Sequence, residues 1–343
     1  MAAVVSFRLG GPDGVSVVAG HWQRILTGGG WEVRTVAGEG SADVVVPGLA
    51  IDADAPPGAT EIDAALDGID VVVVENLCSL PLNPAASDVV AEVLAGRPAL
   101  LHHHDLPWQR ERFAEIEGWP PTDRRWRHVA INDLSRRQLA DRGVKAIVIR
   151  NGFDIDVAPG DGVGARAALG LGSDERLAVH PVRAIPRKDV PTALEVTARL
   201  AAHYWLLGGA EEGYGPRLAE VLTAARCPVH RDLPEGVSVA DAYAASSFVL
   251  LPSTWEGFGN PVAESALHRR PLAIRRYPVA LELEAFGFRW FDVDDPADLD
   301  RLDRFLDQPD QELLDHNHEV VRRHFSTAAV AGQLLPLMDE LTE

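Results

Sequence analysis

Two glutamates, Glu256 and Glu264, enclose the run Gly257-Phe258-Gly259-Asn260-Pro261-Val262-Ala263. The run follows an apolar segment, Phe248-Val-Leu-Leu-Pro252, and leads into a helix expected to begin near Pro261. Asn260 suits the N-cap and Pro261 the first helical position, where a missing N–H costs nothing. A strand, a glycine turn and a fresh helix N-terminus aim several backbone N–H groups at one spot, which attracts phosphate or a polar sugar. The two carboxylates sit at different depths, one in the turn and one a helical turn further on, and carboxylates accept well from vicinal hydroxyls. This combination suits an anionic, polyhydroxylated ligand, a description that a nucleotide sugar fits.

Four other loops carry residues of chemical interest, each directly after an apolar run. In His180-Pro-Val-Arg183-Ala-Ile-Pro-Arg187-Lys188-Asp189, three cations fall within six residues of a chain whose net charge is −19. Arg183 and Lys188 can neutralise a diphosphate, the first through a planar fork and the second as a point charge; a solvated charged loop is the plainer alternative. Leu9-Gly10-Gly11-Pro-Asp13-Gly14 and Leu207-Gly208-Gly209 read either as tight structural turns or as backbone opened for a ligand. In His102-His103-His104-Asp105, successive strand residues alternate faces, so only His102 and His104 share a side. No cysteine or second histidine cluster completes a metal site, so no metal is expected. A histidine serving as an acid–base or hydrogen-bonding group competes there with a packed, satisfied one.

The elements that must hold these loops alternate strand and helix almost throughout, the pattern of α/β units with parallel sheets. In the first half the strands are expected at 3–7, 32–36, 71–75, 99–103, 128–131 and 146–149, with helices at 15–26, 85–94 and 135–142. Pro159, Gly160, Gly162 and Gly164 then dilute the chain, which suggests a linker. A second series follows, with strands at 177–180, 204–207, 229–231, 248–251 and 271–274 and helices at 191–201, 215–225, 238–245 and 262–268. Two Rossmann-like domains facing across a cleft are expected, residues 1–155 and 156–325, with a last amphipathic helix in 326–343 returning to the first. Ligands of such sheets bind beyond the carboxyl ends of the strands.

Composition narrows the setting. The 343 residues are 46% hydrophobic, enough for two cores. A pI near 5.0 disfavours nucleic acid and anionic membranes as partners. Cys78 and Cys227 follow no metal or disulfide spacing, no apolar run approaches the ~20 residues of a membrane helix, and no signal sequence is evident, so a cytoplasmic protein is expected.

With these residues in view, the chain resembles the retaining glycosyltransferases of family 4, which have the GT-B fold. The matching elements run in the family's order: Gly10-Gly-Pro-Asp-Gly-Val15, His104-Asp105, Asn151-Gly-Phe-Asp154, Val182-Arg183 through Lys188-Asp189, and Glu256-Gly-Phe-Gly through Glu264. The resemblance implies that Glu264 binds the donor ribose, that Glu256 lies against the transferred sugar, and that His104 approaches the reacting sugar. It implies that Gly257, Phe258, Gly259 and Asn260, with Gly11 and Gly208, line the donor, and that Arg183 and Lys188 stabilise the departing diphosphate. The chain departs from the pattern in having Val182 and Asp189 where the family has glycine, Arg270 for another glycine, and Arg275-Arg-Tyr-Pro-Val-Ala280 for a glycine-rich loop.

The implied reaction moves a sugar from a UDP- or GDP-sugar co-substrate to an acceptor hydroxyl with retention, by front-side attack, with no cofactor or metal required. On the acceptor side the candidates are Asp13, Asn83, Asp105 and Arg110. The helix at 15–26 offers only His21 and Arg24 as basic groups, which favours a soluble acceptor. Two alternatives stay open: another GT-B activity such as a nucleotide-sugar epimerase, or a catalytically silent nucleotide-sugar-binding partner.

Overall fold

The computed structural model describes residues 1–11 and 13–343. The chain divides into two compact units, Met1–Phe153 with Phe325–Glu343, and Asp154–His324.

In the first unit the order is β1 (Ala2–Leu9), α1 (Gly14–Gly28), β2 (Val33–Gly40), β3 (Val44–Val45), α2 (Ala59–Ala65), β4 (Val71–Glu75), α3 (Pro84–Leu94), β5 (Ala99–His103), β6 (Trp126–Ala130), α4 (Asp133–Asp141) and β7 (Ala146–Val148). All strand pairs are parallel and the sheet order is β3-β2-β1-β4-β5-β6-β7. Strands covered on both faces need apolar residues at every position, and Val71-Val-Val-Val-Glu75 is buried throughout. Alternation sorts these residues: Ala3, Val5, Val72 and Val74 enter one core, while Ala2, Val4, Val71 and Val73 enter the other with Trp22 of α1.

The second unit contains α5 (Gly162–Ala168), β8 (Leu177–His180), α6 (Val190–Arg199), β9 (His203–Leu206), α7 (Gly215–Thr223), β10 (Val229–Arg231), α8 (Val239–Ala245), β11 (Phe248–Leu251), α9 (Asn260–Leu267), β12 (Leu272–Ile274), α10 (Pro278–Glu284), β13 (Phe291–Asp292), α11 (Pro296–Asp307) and α12 (Gln311–His324). Its parallel sheet runs β10-β9-β8-β11-β12-β13. The last helix, α13 (Thr327–Thr342), belongs to the first unit, where Val330, Leu334 and Met338 join the core of α1. In both sheets the order reverses beside the first strand, between β1 and β4 and between β8 and β11, which is where doubly wound sheets bind ligands.

Of the stretch read as a linker, the glycines at 160–164 are packed rather than loose. Asp161 caps α5, accepting from Gly164 N over 2.8 Å, and a Cβ on Gly160 or Gly162 would lie 2.3 or 2.5 Å from α8 carbonyl oxygens. The glycines allow two helices to touch backbone to backbone; they do not loosen the chain. The sequence reading also passed over β3, α2 and everything from α10 to α12. Among the described residues no helix is long and apolar enough to cross a membrane.

Candidate active site

At the second switch point, the loop after β8 forms a 3₁₀ turn, Pro186–Lys188, and the loop after β11 lies against it, Thr254 N donating to Arg187 O over 2.9 Å. That contact brings two cations to one carboxylate. Lys188 Nζ donates to Glu256 Oε1 over 2.5 Å, and Arg187 donates to Glu256 Oε2 and Trp255 O, each over 2.7 Å. Glu256 and Lys188 are both buried. Burial would raise the Glu256 carboxyl, but Lys188 and Arg187 outweigh it and hold it at about 2. Burial draws Lys188 below its ordinary value, against the pull of Glu256.

Arg183, expected beside Lys188, instead pairs with Glu211 over 2.5 Å at the surface. Arg187 is the arginine that joins Lys188 at Glu256; sequence alone does not tell which of two arginines turns inward. Glu264, on α9, accepts from Tyr243 Oη of α8 over 2.5 Å. Burial pushes its carboxyl up, against the Tyr243 O–H and Lys188.

The departures from the family pattern have local reasons. Asp189 adopts φ +47°, the left-handed region that glycine favours, and its carboxylate caps α6 through Thr192 N. Arg275 braces this loop, reaching Asp189 Oδ2 over 2.7 Å and Pro252 O over 2.6 Å. Gly208 has a structural duty: its Cβ would lie 2.5 Å from Val182 O. The start of α9 corrects the sequence reading. The helix begins at Asn260 and its cap is Gly259, at φ +90°. A Cβ there would stand 2.2 Å from Tyr277 Oη, which donates to Phe258 O over 2.9 Å.

At the first switch point, Glu75 ends β4 in register with His102 of β5, so both side chains leave the same face. Glu75 Oε2 accepts from His102 Nδ1 over 2.9 Å and from His104 Nε2 over 2.8 Å. The ring of His102 stacks on Trp22 with centroids 3.9 Å apart. Burial would raise the Glu75 carboxyl, yet the two imidazoles hold it at about 2. Glu75, His102 and His104 bring three ligand atoms within 4.8 Å, a grouping that could hold a metal ion. The sequence places the two histidines on one side and Glu75 at the head of a strand-ending segment that could line the acceptor side, but does not join them; the pairing comes from strand register. His103 turns to the other face, toward Ser79 and His128, at 2.6 and 2.9 Å.

The remaining acceptor-side candidates are engaged in holding the fold. Asp13 caps α1 through Val15 N and Ser16 N and pairs with Arg8, and a Cβ on Gly11 would lie 3.1 Å from its Oδ2. Asn83 accepts from Ala86 N and donates to Gly48 O and Ala50 O. Asp105 and Arg110 pair with each other over 3.1 Å.

No family model matches the chain. The mannosylglucosylglycerate synthase of Thermotoga maritima is 24% identical over 412 aligned residues, covering 94% of this chain and 96% of that protein. Among solved structures, HepE of Anabaena in complex with UDP-glucose superposes with a TM-score of 0.73 at 18% identity, over 99% of this chain and 100% of that one. The sucrose-phosphate synthase of Thermosynechococcus elongatus gives 0.76 at 15% identity, over 99% and 98%. The chain has the GT-B fold, and the proteins it is similar to are glycosyltransferases.

Proposed function

We propose that the protein is a retaining glycosyltransferase that moves a sugar from a nucleoside-diphosphate sugar to an acceptor hydroxyl. The observation that carries this reading is the cluster of buried Lys188 and Glu256 with half-buried Arg187 at the β8/β11 switch point, beside the start of α9. The barrier to glycosyl transfer lies in charge: an oxocarbenium-like sugar forms as negative charge builds on the leaving diphosphate. Lys188 and Arg187, joined by Arg183 on release from Glu211, meet the second need by preorganised electrostatics. Glu256 then faces the transferred sugar, holding its hydroxyls and favouring positive charge at the anomeric carbon. Glu264, supported by Tyr243, takes the ribose hydroxyls, and the turn 257–260 with the positive end of α9 takes sugar and phosphate.

These cations can do what a divalent ion does in other phosphate sites, so turnover is expected to survive chelation. The leaving phosphate takes the acceptor proton in a front-side attack, with no enzymic nucleophile. The resemblance to known glycosyltransferases gives His104 the role of a hydrogen-bonding group to the reacting sugar. A soluble acceptor is supported by the Thermotoga relative, whose named product, mannosylglucosylglycerate, is a small polar molecule.

The test is release of nucleoside diphosphate from UDP-glucose, UDP-galactose, UDP-N-acetylglucosamine and GDP-mannose, with and without small polyol and glycerate acceptors, in the presence of EDTA. Acceptor-dependent release, and a product whose anomeric proton keeps the donor's configuration, is the expected result. A donor that binds but never turns over, or a product of inverted configuration, overturns the reading.

A further inference from the structure

We propose that Glu75 is a positioning residue for His104, fixing which ring nitrogen of that histidine is offered to a substrate; this rests on the role given to His104 above. The geometry is specific. Glu75 Oε2 receives two N–H groups, from His102 Nδ1 at 2.9 Å and His104 Nε2 at 2.8 Å. An ionised carboxylate only accepts, so each imidazole must present its proton to that oxygen. A neutral His104 is thereby held as the Nε2–H form, with Nδ1 left as the acceptor. No hydrogen bond to His104 Nδ1 is found among the described residues.

The backbone is fixed by the next residue. Asn76, in the left-handed region at φ +58°, accepts through Oδ1 from His104 N at 3.2 Å and Asp105 N at 3.3 Å. Consecutive residues at the end of one strand, Glu75 and Asn76, therefore hold both the ring and the main chain of His104. His102 is the spacer of the arrangement. Its ring lies between Trp22, 3.9 Å away, and His104, 4.4 Å away, and its Nε2 is buried without a partner. Its Nδ1 donates to the same Glu75 oxygen that His104 Nε2 reaches, so that oxygen is held between the two rings. A carboxylate that sets the tautomer and orientation of an imidazole acts on turnover more than on binding.

The test combines nitrogen NMR of histidine-labelled protein with kinetics. The His104 signal is assigned by its loss in His104→Asn. In the unaltered protein His104 is expected as the Nε2–H tautomer; an Nδ1–H signal overturns the proposal without any change at Glu75. In Glu75→Gln the tautomers should mix, and kcat should fall roughly 10- to 100-fold with donor KM changed less than about 3-fold. Glu75→Gln added to His104→Asn should cost little more than His104→Asn alone. A folded Glu75→Gln with unchanged tautomer and kcat overturns the proposal. If His104→Asn itself leaves kcat intact, the role of His104 fails, and the inference about turnover fails with it, whatever the tautomer.

Discussion

Lys188 Nζ and Glu256 Oε1, 68 residues apart in sequence, meet over 2.5 Å where the loops after β8 and β11 touch. In the proposed reaction the first group serves the diphosphate and the second the sugar, so each holds the other in place until the donor arrives. The arrangement is preorganised, because neither side chain must be drawn from water when the donor binds. It is also costly to break, because removing one partner strands the other charge in a buried site.

Glu256→Gln is therefore expected to lower both turnover and stability. The neutral amide leaves Lys188 and Arg187 without their counter-charge, which should cost about 3 kcal/mol in urea unfolding. Donor affinity, measured by calorimetry with UDP, should change far less than kcat if, as proposed, Glu264 rather than Glu256 takes the ribose. Unaltered kcat in a stable variant would remove Glu256 from the reaction.

Glu264 is expected to divide the other way. Glu264→Ala should weaken UDP binding while leaving kcat at saturating donor within a few-fold. Tyr243→Phe deletes the 2.5 Å hydrogen bond that aims this carboxylate, and about 1.5 kcal/mol, or roughly tenfold in Kd, is a reasonable loss for a bond to a charged group. Calorimetry that finds both variants binding UDP like the unaltered protein would rule out the ribose assignment.

The strands and their loops were legible because parallel strands declare themselves as short apolar runs, and the ligand loops follow their carboxyl ends. Val71–Glu75 and Phe248–Leu251 have the bounds that the sequence suggested. What the sequence hid were tertiary pairings. Glu75 meets His102 and His104 only through strand register, Arg187 is chosen over Arg183 by the twist of one 3₁₀ turn, and Tyr243 reaches Glu264 from another helix. The glycines at 160 and 162 misled because a glycine that admits a neighbouring backbone looks the same in sequence as one that loosens a linker.

The buried groups fix how stability should depend on pH. His128 and His180 are pushed down by burial to about 4 and about 3, so the unfolded chain binds more protons than the folded one below about 6.5. Stability should fall as pH drops from about 6.5 toward 4. Glu75 and Glu256, held at about 2 against an ordinary value near 4.5, contribute stability that is full above 4.5 and lost as pH falls toward 2. Urea midpoints taken from pH 7 to pH 3 should therefore decline through two overlapping stages. Glu256→Gln should flatten the lower stage alone. A midpoint constant from pH 7 to pH 4 would contradict the neutral burial of these histidines.

Gly259 is the residue on which the shape of the turn 257–260, the proposed donor turn, depends most directly. Its φ of +90° is open to glycine and strained for other residues, and a Cβ would fall 2.2 Å from Tyr277 Oη, well inside contact distance. Tyr277 cannot simply swing aside, because its ring is buried and its hydroxyl donates to Phe258 O over 2.9 Å. Gly259→Ala must either distort the turn or expel Tyr277, and the backbone strain alone is worth about 1–3 kcal/mol. The expected outcome is a Tm lowered by several degrees together with lost UDP binding. Tyr277→Phe separates the two causes: in Gly259→Ala with Tyr277→Phe the clash is eased while the φ strain remains, so part of the lost Tm should return. If Gly259→Ala binds UDP normally at full Tm, the turn is not held as described.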